Sequence, residues 1–269
     1  MNQSNDHHDW PDRIERLIEG LDAFERVVVL SETESTQDAA RRESADPGSV
    51  VVAARQTSGR GRQGRAWADD LGRGLSVTLV VHPEDSAYLC SRAAVAVARA
   101  VVPLLEERRL HAGIKWPNDL VVLSGGVRKL SGILVERDDR SALVGIGINV
   151  LSRAWPPGLG AAATSLEELG VDTTRLAVLE RLLVEWDRAT RLRRRELLSD
   201  YARFDVLTGS SAVVEVDGTT IRGTVRGIDP FTGITLETAQ GPRIADPERA
   251  HVADWRPPGE FEVGARPGR

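Results

Sequence analysis

With 269 residues, 41% of them apolar, the chain can form one large domain with a core of its own plus a smaller one. Its net charge of −5 excludes a generally basic, nucleic-acid-coating surface, and its single cysteine, Cys90, excludes an intramolecular disulfide and a cysteine zinc cluster. No apolar run reads as long enough to span a bilayer and no signal-peptide pattern opens the chain, so no membrane contact and a cytoplasmic location are expected.

Residues 1–25 read as a polar tail with His7-His8 and one short helix, with Ile14, Leu17, Ile18 and Leu21 at helical spacing over 12–24 and Asp12 as its cap. A first strand, Val27 to Leu30, leads through Ser31–Thr36 to a helix opening near Gln37, with Ser35 or Thr36 as N-cap. Pro47-Gly48 turns the chain into a strand over 49–54.

That strand delivers the segment Arg55 to Trp67, which holds three glycines, four arginines and no carboxylate. Glycine lets backbone approach a ligand closely, and arginine grips phosphate or carboxylate with paired hydrogen bonds. The segment therefore reads as a loop built around an anion. It matches the spacing of the dinucleotide fingerprint at Gly59, Gly61 and Gly64, but a loop and strand follow where a helix is required. It also has P-loop spacing, but Arg65-Ala66 stands where Lys and Ser/Thr are needed.

A strand over 74–81 and a helix over 86–109 follow, with Cys90 read as a small packed residue. The strand 112–115 runs into Trp116-Pro117-Asn118-Asp119. A hairpin comes next (120–123 and 128–136 about Ser124-Gly125-Gly126), then a strand over 142–149. Residues 152–163 read as a loop, Ser165-x-x-Glu168 as a capping box, and 174–198 as one long amphipathic helix ending in an arginine cluster. Hairpin signals from 209 to 257 predict a small all-β unit, and 258–269 a Pro/Gly tail.

Lysine and arginine total 35, yet lysine occurs only at Lys115 and Lys129. Outside the tail, asparagine occurs only at Asn118 and Asn149. A chain that uses arginine everywhere else and keeps lysine at two central positions nominates both as sites needing a compact point charge.

Taken in order, Ser35-Thr36-Gln37, Gln56-x-x-Gly59-Arg-Gly-Arg-x-Gly-Arg65-x-Trp67, Lys115-Trp-Pro-Asn-Asp119, Arg128-Lys-Leu-Ser-Gly-Ile-Leu-Val-Glu136 and Gly145-Ile-Gly-Ile-Asn149 resemble the biotin–protein ligases. The resemblance spans about 27–255. It implies an α+β fold: a mixed sheet with helices, akin to class II aminoacyl-tRNA synthetases, over 26–208, then an SH3-like barrel over 209–257. The implied activity uses ATP, biotin and Mg²⁺ to make biotinyl-5′-AMP, then passes biotin to a lysine of a biotin carboxyl carrier protein. The resemblance further implies catalytic roles for Lys129, Arg60 and Arg62. It places biotin against Ser35, Thr36, Gln37, Gln56, Gly59, Gly61 and Gly132 as well as Arg60, Arg62 and Lys129. The nucleotide falls to Arg62, Arg65, Trp67, Lys115, Asn118 and Asn149, with Asp119 as a metal candidate. Gln37 departs from the family's usual asparagine. The short N-terminus implies a form without a winged-helix domain and no DNA binding, and a monomer or weak homodimer is expected. Three rivals remain: a lipoate or octanoate ligase of the same superfamily, a nucleic-acid-binding module using the arginine loop and barrel, and a catalytically dead ligand sensor.

Overall fold

A computed structural model describes residues 8–67, 72–151, 155 and 162–256. Residues 1–7 of the expected N-terminal tail, the C-terminal tail and most of the 152–163 loop lie outside the described residues, as does part of the loop at 69–74. The first helix, α1 (Trp10–Ile18), starts earlier than its apolar spacing suggests, because Pro11 suits a first helical turn and Asp9, not Asp12, is the cap residue. Its buried face is Trp10, Ile14 and Ile18.

Seven strands form a mixed sheet in the order β1-β2-β5-β9-β8-β7-β6. They are β1 (Arg26–Leu30), β2 (Ser49–Ala53), β5 (Leu75–Val81), β6 (Ala112–Lys115), β7 (Asp119–Val122), β8 (Arg128–Arg137) and β9 (Ala142–Ile148). Only β1 and β2 pair in parallel; the other pairings are antiparallel. Two short strands, β3 (Gly59–Arg60) and β4 (Ala66–Trp67), fold the arginine loop back on itself around the 3-10 turn Arg62–Gly64.

Alternation along the strands sends side chains to two layers. Val50, Val52, Leu75, Val77, Leu79, Val144, Ile146 and Ile148 join the main core with the helices α3 (Ser86–Glu106) and α4 (Arg175–Thr190). On the other face Val51, Val80 and Leu143 pack under Ala39 and Ala40 of α2 (Thr36–Arg42). Ser35 is the N-cap of α2, its hydroxyl accepting from the Asp38 N–H.

Three expectations need correction. The helix α3 does have the length and apolar composition of a membrane span; two thirds of its most apolar window is buried inside the protein. The region 174–198 is not one helix but two, α4 and α5 (Arg194–Phe204). The break falls at the arginine cluster, where Arg191 pairs with Asp187 at 2.5 Å and the Glu196 carboxylate accepts from the Arg193 N–H to start α5 anew. Turning there lets Leu197, Tyr201 and Phe204 bury themselves. At Ser165 the hydroxyl accepts from the Glu168 N–H, but a turn follows rather than an α-helix.

Where the barrel is expected, β10 (Ser211–Val216), β11 (Thr219–Asp229), β12 (Gly233–Thr238), β13 (Gly241–Ala245) and β14 (Ala250–Arg256) form an antiparallel sheet in the order β13-β12-β11-β10-β14. This C-terminal unit docks on α3 through Phe231, which stacks on Tyr88 with ring centroids 5.0 Å apart.

Both ends of the arginine loop are held by one buried cation. Arg175, 4% exposed, donates from Nη1 to the carbonyls of Ala54 (2.5 Å) and Gly72 (2.6 Å), and its guanidinium lies 5.0 Å from the Trp10 ring centroid. Replacing it with methionine keeps bulk but loses charged hydrogen bonds, so Arg175→Met is expected to destabilise the fold by about 2–4 kcal/mol in urea unfolding. Limited proteolysis of the variant should cut first between residues 55 and 67. A loop still as protected as in the parent would rule out the clasp.

Candidate active site

One register row crosses the sheet. Lys115 faces Asp119, Asp119 faces Gly132, Gly132 faces Gly147, Gly147 faces Ser76 and Ser76 faces Ala53. Directly opposed residues point to the same face, and here it is the face of α2 and the arginine loop. The centre of the row is glycine because Trp67 lies on it. A Cβ added to Gly147 would stand 2.5 Å from Trp67 Cζ2, and one added to Gly132 would stand 3.2 Å from Trp67 Cζ3. Gly145, two residues before Gly147, leaves room for Gln37, whose Cδ would be 2.9 Å from an added Cβ. The alternation in Gly145-Ile-Gly-Ile thus makes a flat floor on one face and a core on the other.

Lys129 reaches this floor through an irregularity. The β7–β8 register shifts between Leu120/Val121 opposite Ser131 and Lys129, so Leu130 is the extra residue. Leu130 is buried in the core, while Lys129 Nζ would be 2.8 Å from a Cβ on Gly132. Without the bulge Lys129 and Gly132, three apart, would point to opposite faces. The Lys129 ammonium rests 2.6 Å from Asp119 Oδ1 and 5.6 Å from the centroid of a Trp67 ring.

Two cavities open on this face. The smaller, about 470 Å³, is lined by Ser35, Thr36, Gln37, Gln56, Arg60 and Gly132 among others, with Ser76, Gly145 and Gly147 beneath. The larger, about 1490 Å³ including its open mouth, takes in Arg65, Lys115, Asp119 and Asn149, with Trp155 and His251. They meet at Gly61, Arg62, Trp67, Asn118 and Lys129, which line both. Nearly every residue nominated from sequence is therefore brought together. The exception is Gly59, which lines neither cavity; it gives Trp67 and the Gln56 side chain room to pass, an added Cβ standing 2.7 Å from the Trp67 carbonyl.

Several nominated side chains are engaged in ways the sequence does not show. Gln56 Oε1 accepts from the Thr36 N–H at 2.9 Å and the Thr36 hydroxyl at 3.3 Å, and the Thr78 hydroxyl donates to that of Thr36 at 2.9 Å. Gln37 donates to the carbonyls of Leu134 and Leu143, both at 3.3 Å, which ties α2 to the sheet and accounts structurally for glutamine at this position. Asn118 and Asn149 spend their amide N–H groups on backbone, Asn118 on Ile133 and Asn149 on Lys129 and Thr164. Each keeps its amide oxygen to offer a ligand.

The cations have resting partners. Arg60 forms a forked pair with Asp38 and reaches Glu136 at 3.5 Å; its hydrogen bond holds the Asp38 carboxyl below the usual range. Arg62 donates to the carbonyls of Pro247 (2.7 Å) and Glu248 (3.2 Å) in the turn between β13 and β14. Lys115 is half-buried, and desolvation depresses its pKa against the opposing pull of Asp119. Cys90 takes no part: burial pushes its thiol up to about 12, consistent with a packed residue. Among the described residues no group of three His, Cys, Asp or Glu side chains is placed to hold a metal.

The profile of the Biotin/lipoate A/B protein ligase family matches residues 28–151. Over 241 residues the chain is 32% identical to a Mycobacterium tuberculosis protein named Biotin--[acetyl-CoA-carboxylase] ligase, spanning 83% of this chain and 87% of that one. The chain belongs to the biotin/lipoate A/B protein ligase family. It is a ligase enzyme, and its fold matches solved members. It is similar to the biotin protein ligase from Aquifex aeolicus in complex with biotin and ATP, with a TM-score of 0.74 and 26% identity, covering 87% of this chain and 100% of that one. It is also 30% identical to the bifunctional ligase/repressor BirA of Bacillus subtilis over 79% of this chain and 69% of that protein.

Sequence reading missed Ser76, Gly145, Gly147, Asp38, Glu136 and Trp155 in this ligase's site. The signal for the first three was present as alternation: small residues stand two apart at Ser76 and Thr78 and at Gly145 and Gly147 within otherwise apolar strands. The glycine floor is testable by a coupling measurement. Gly147→Ala is expected to cost about 1–3 kcal/mol in urea unfolding, and in a Trp67→Ala background at least half of that cost should vanish. Equal costs in both backgrounds would show that Trp67 does not lie on Gly147.

Proposed function

We propose that this ligase activates biotin with ATP and transfers it to a lysine of a biotin carboxyl carrier protein, such as that of acetyl-CoA carboxylase. The observation that carries this reading is the junction of the two cavities at Lys129 and Arg62. A small pocket with polar walls suits the ring of biotin, and a large one ending in cations suits a nucleotide triphosphate. Their meeting point is where a carboxylate and an α-phosphate must come together. The names of the Mycobacterium tuberculosis and Aquifex aeolicus relatives support the same substrates.

In the first step a biotin carboxylate oxygen attacks the α-phosphorus, the bond to the β-phosphate bridging oxygen breaks, and pyrophosphate leaves. Two anions must approach within bonding distance, so charge neutralisation is the main demand. Lys129 supplies it as a point charge free to leave Asp119 and follow the phosphate oxygens; Arg62 supplies a second cation. In the second step the neutral carrier amine attacks the acyl carbon, the carbon–oxygen bond to AMP breaks, AMP leaves, and the proton the nitrogen sheds passes to solvent. Trp67 is the aromatic surface for the adenylate, and Asn118 and Asn149 offer amide oxygens. Asp119, the carboxylate lining the larger cavity, would be the protein ligand for Mg²⁺ carried on the triphosphate, where the ion would neutralise phosphate charge.

The acidic balance of the chain supports an enzyme that does not bind DNA; we further propose that it works in the cytoplasm as a monomer or weak homodimer. Because the family also holds lipoate ligases, substrate identity needs a direct test. ATP–pyrophosphate exchange without carrier is expected with biotin and not with lipoate or octanoate. Lys129→Ala should keep the parent Tm within a few degrees and lose at least about 100-fold in exchange. Exchange with octanoate alone would keep the mechanism and replace the substrate, and near-parent exchange by a folded Lys129→Ala would remove Lys129 from the chemistry.

A further inference from the structure

Of the residues lining the smaller cavity, two keep a buried polar group without a partner among the described residues, the Trp67 indole N–H and the Ser76 hydroxyl, and the second is the one without another role. Ser76 is 2% exposed, lies on β5 in the register row with Gly147, and lines the cavity. Its Oγ is buried and has no hydrogen-bond partner among the described residues. Its neighbour on the same face of β5, Thr78, is satisfied through the Thr36 hydroxyl, which in turn donates to Gln56. Thr36 therefore has no proton left to donate, and Gln56 Oε1 is already doubly engaged.

We propose that the Ser76 hydroxyl is a specificity-determining group that hydrogen-bonds the ureido ring of the acyl substrate. A buried hydroxyl left without a partner is disfavoured, and a ligand heteroatom that completes it gains more than a bond at the surface would. A ureido ring presents one carbonyl and two N–H groups, so it can satisfy Ser76 as donor or acceptor. An unbranched acyl chain presents only methylenes there and leaves the hydroxyl unpaired. Ser76 thus turns part of the floor of this pocket against apolar acids, as sites built to pair a polar group reject ligands that lack it. The inference rests on the biotin reading above and names a residue that enforces it.

The test is Ser76→Ala in the full-length ligase, read by ATP–pyrophosphate exchange with biotin, desthiobiotin and octanoate. Desthiobiotin keeps the ureido ring and lacks sulfur. The expected result is a KM about tenfold higher for both biotin and desthiobiotin, an unchanged KM for ATP, a kcat within about twofold, and weaker discrimination against octanoate. Ser76→Thr, which keeps a hydroxyl, should stay nearer the parent than Ser76→Ala. An unchanged biotin KM in Ser76→Ala would overturn the proposal, as would a rise for biotin without one for desthiobiotin, or an equal rise for ATP. If the parent itself fails to exchange with biotin, the substrate reading falls; if the parent works and Ser76→Ala matches it, only Ser76 is released from the role.

Discussion

The site depends on a steric constraint: one face of a seven-stranded sheet must be flat where it meets Trp67. Sheets are usually studded on both faces, and here two glycines directly across from each other remove the studs. Everything else is arranged from that clearing. Trp67 lies over it, Gln37 fills the space over Gly145, and the bulge at Leu130 turns Lys129 toward it. Glycine in strand interiors weakens a sheet. The loss is offset by Ile133, Ile146 and Ile148 on the opposite face, all buried in the main core.

Electrostatics divides the same surface in two. In the smaller cavity Thr36 and Gln56 are tied with Thr78 into a hydrogen-bond network that fixes their orientation. At the junction Lys129 and Arg62 have partners, the Asp119 carboxylate and the Pro247 and Glu248 carbonyls, that a polyanion can replace. Preorganised neutral hydrogen bonds suit recognition of an uncharged ring, whereas exchangeable ion pairs suit a reaction in which negative charge moves.

Much of this was legible in the sequence, for identifiable reasons. Lys115, Lys129, Asn118 and Asn149 stood out because the chain uses those residue types almost nowhere else, and the arginine loop stood out because it concentrates charge with glycine. The strands were legible from alternation. Contacts between distant segments were not: Arg175 reaching back to Ala54 and Gly72, Glu136 meeting Arg60, and Arg62 resting on the Pro247 turn each join residues far apart in the chain. The end of α4 was misread because Arg191–Arg195 is as compatible with a continuing helix as with a break. The decision came from where Leu197 and Tyr201 could be buried.

Arg60 and Arg62 of the loop are held differently, and the difference bears on which one moves. Arg60 is paired with a carboxylate at the start of α2 and lies near a second on β8. Arg41 pairs with the same two carboxylates, so Arg60 is one member of a cluster of two cations and two anions and serves best as a fixed strut between α2, the loop and β8. Arg62 rests on two neutral backbone carbonyls of the C-terminal unit. A charged hydrogen bond to a phosphate or carboxylate is stronger than one to a carbonyl, so an anion at the junction can draw Arg62 off that turn. The C-terminal unit thereby enters the energetics of the site, because the free energy with which it holds Arg62 must be overcome by the ligand that draws the arginine away.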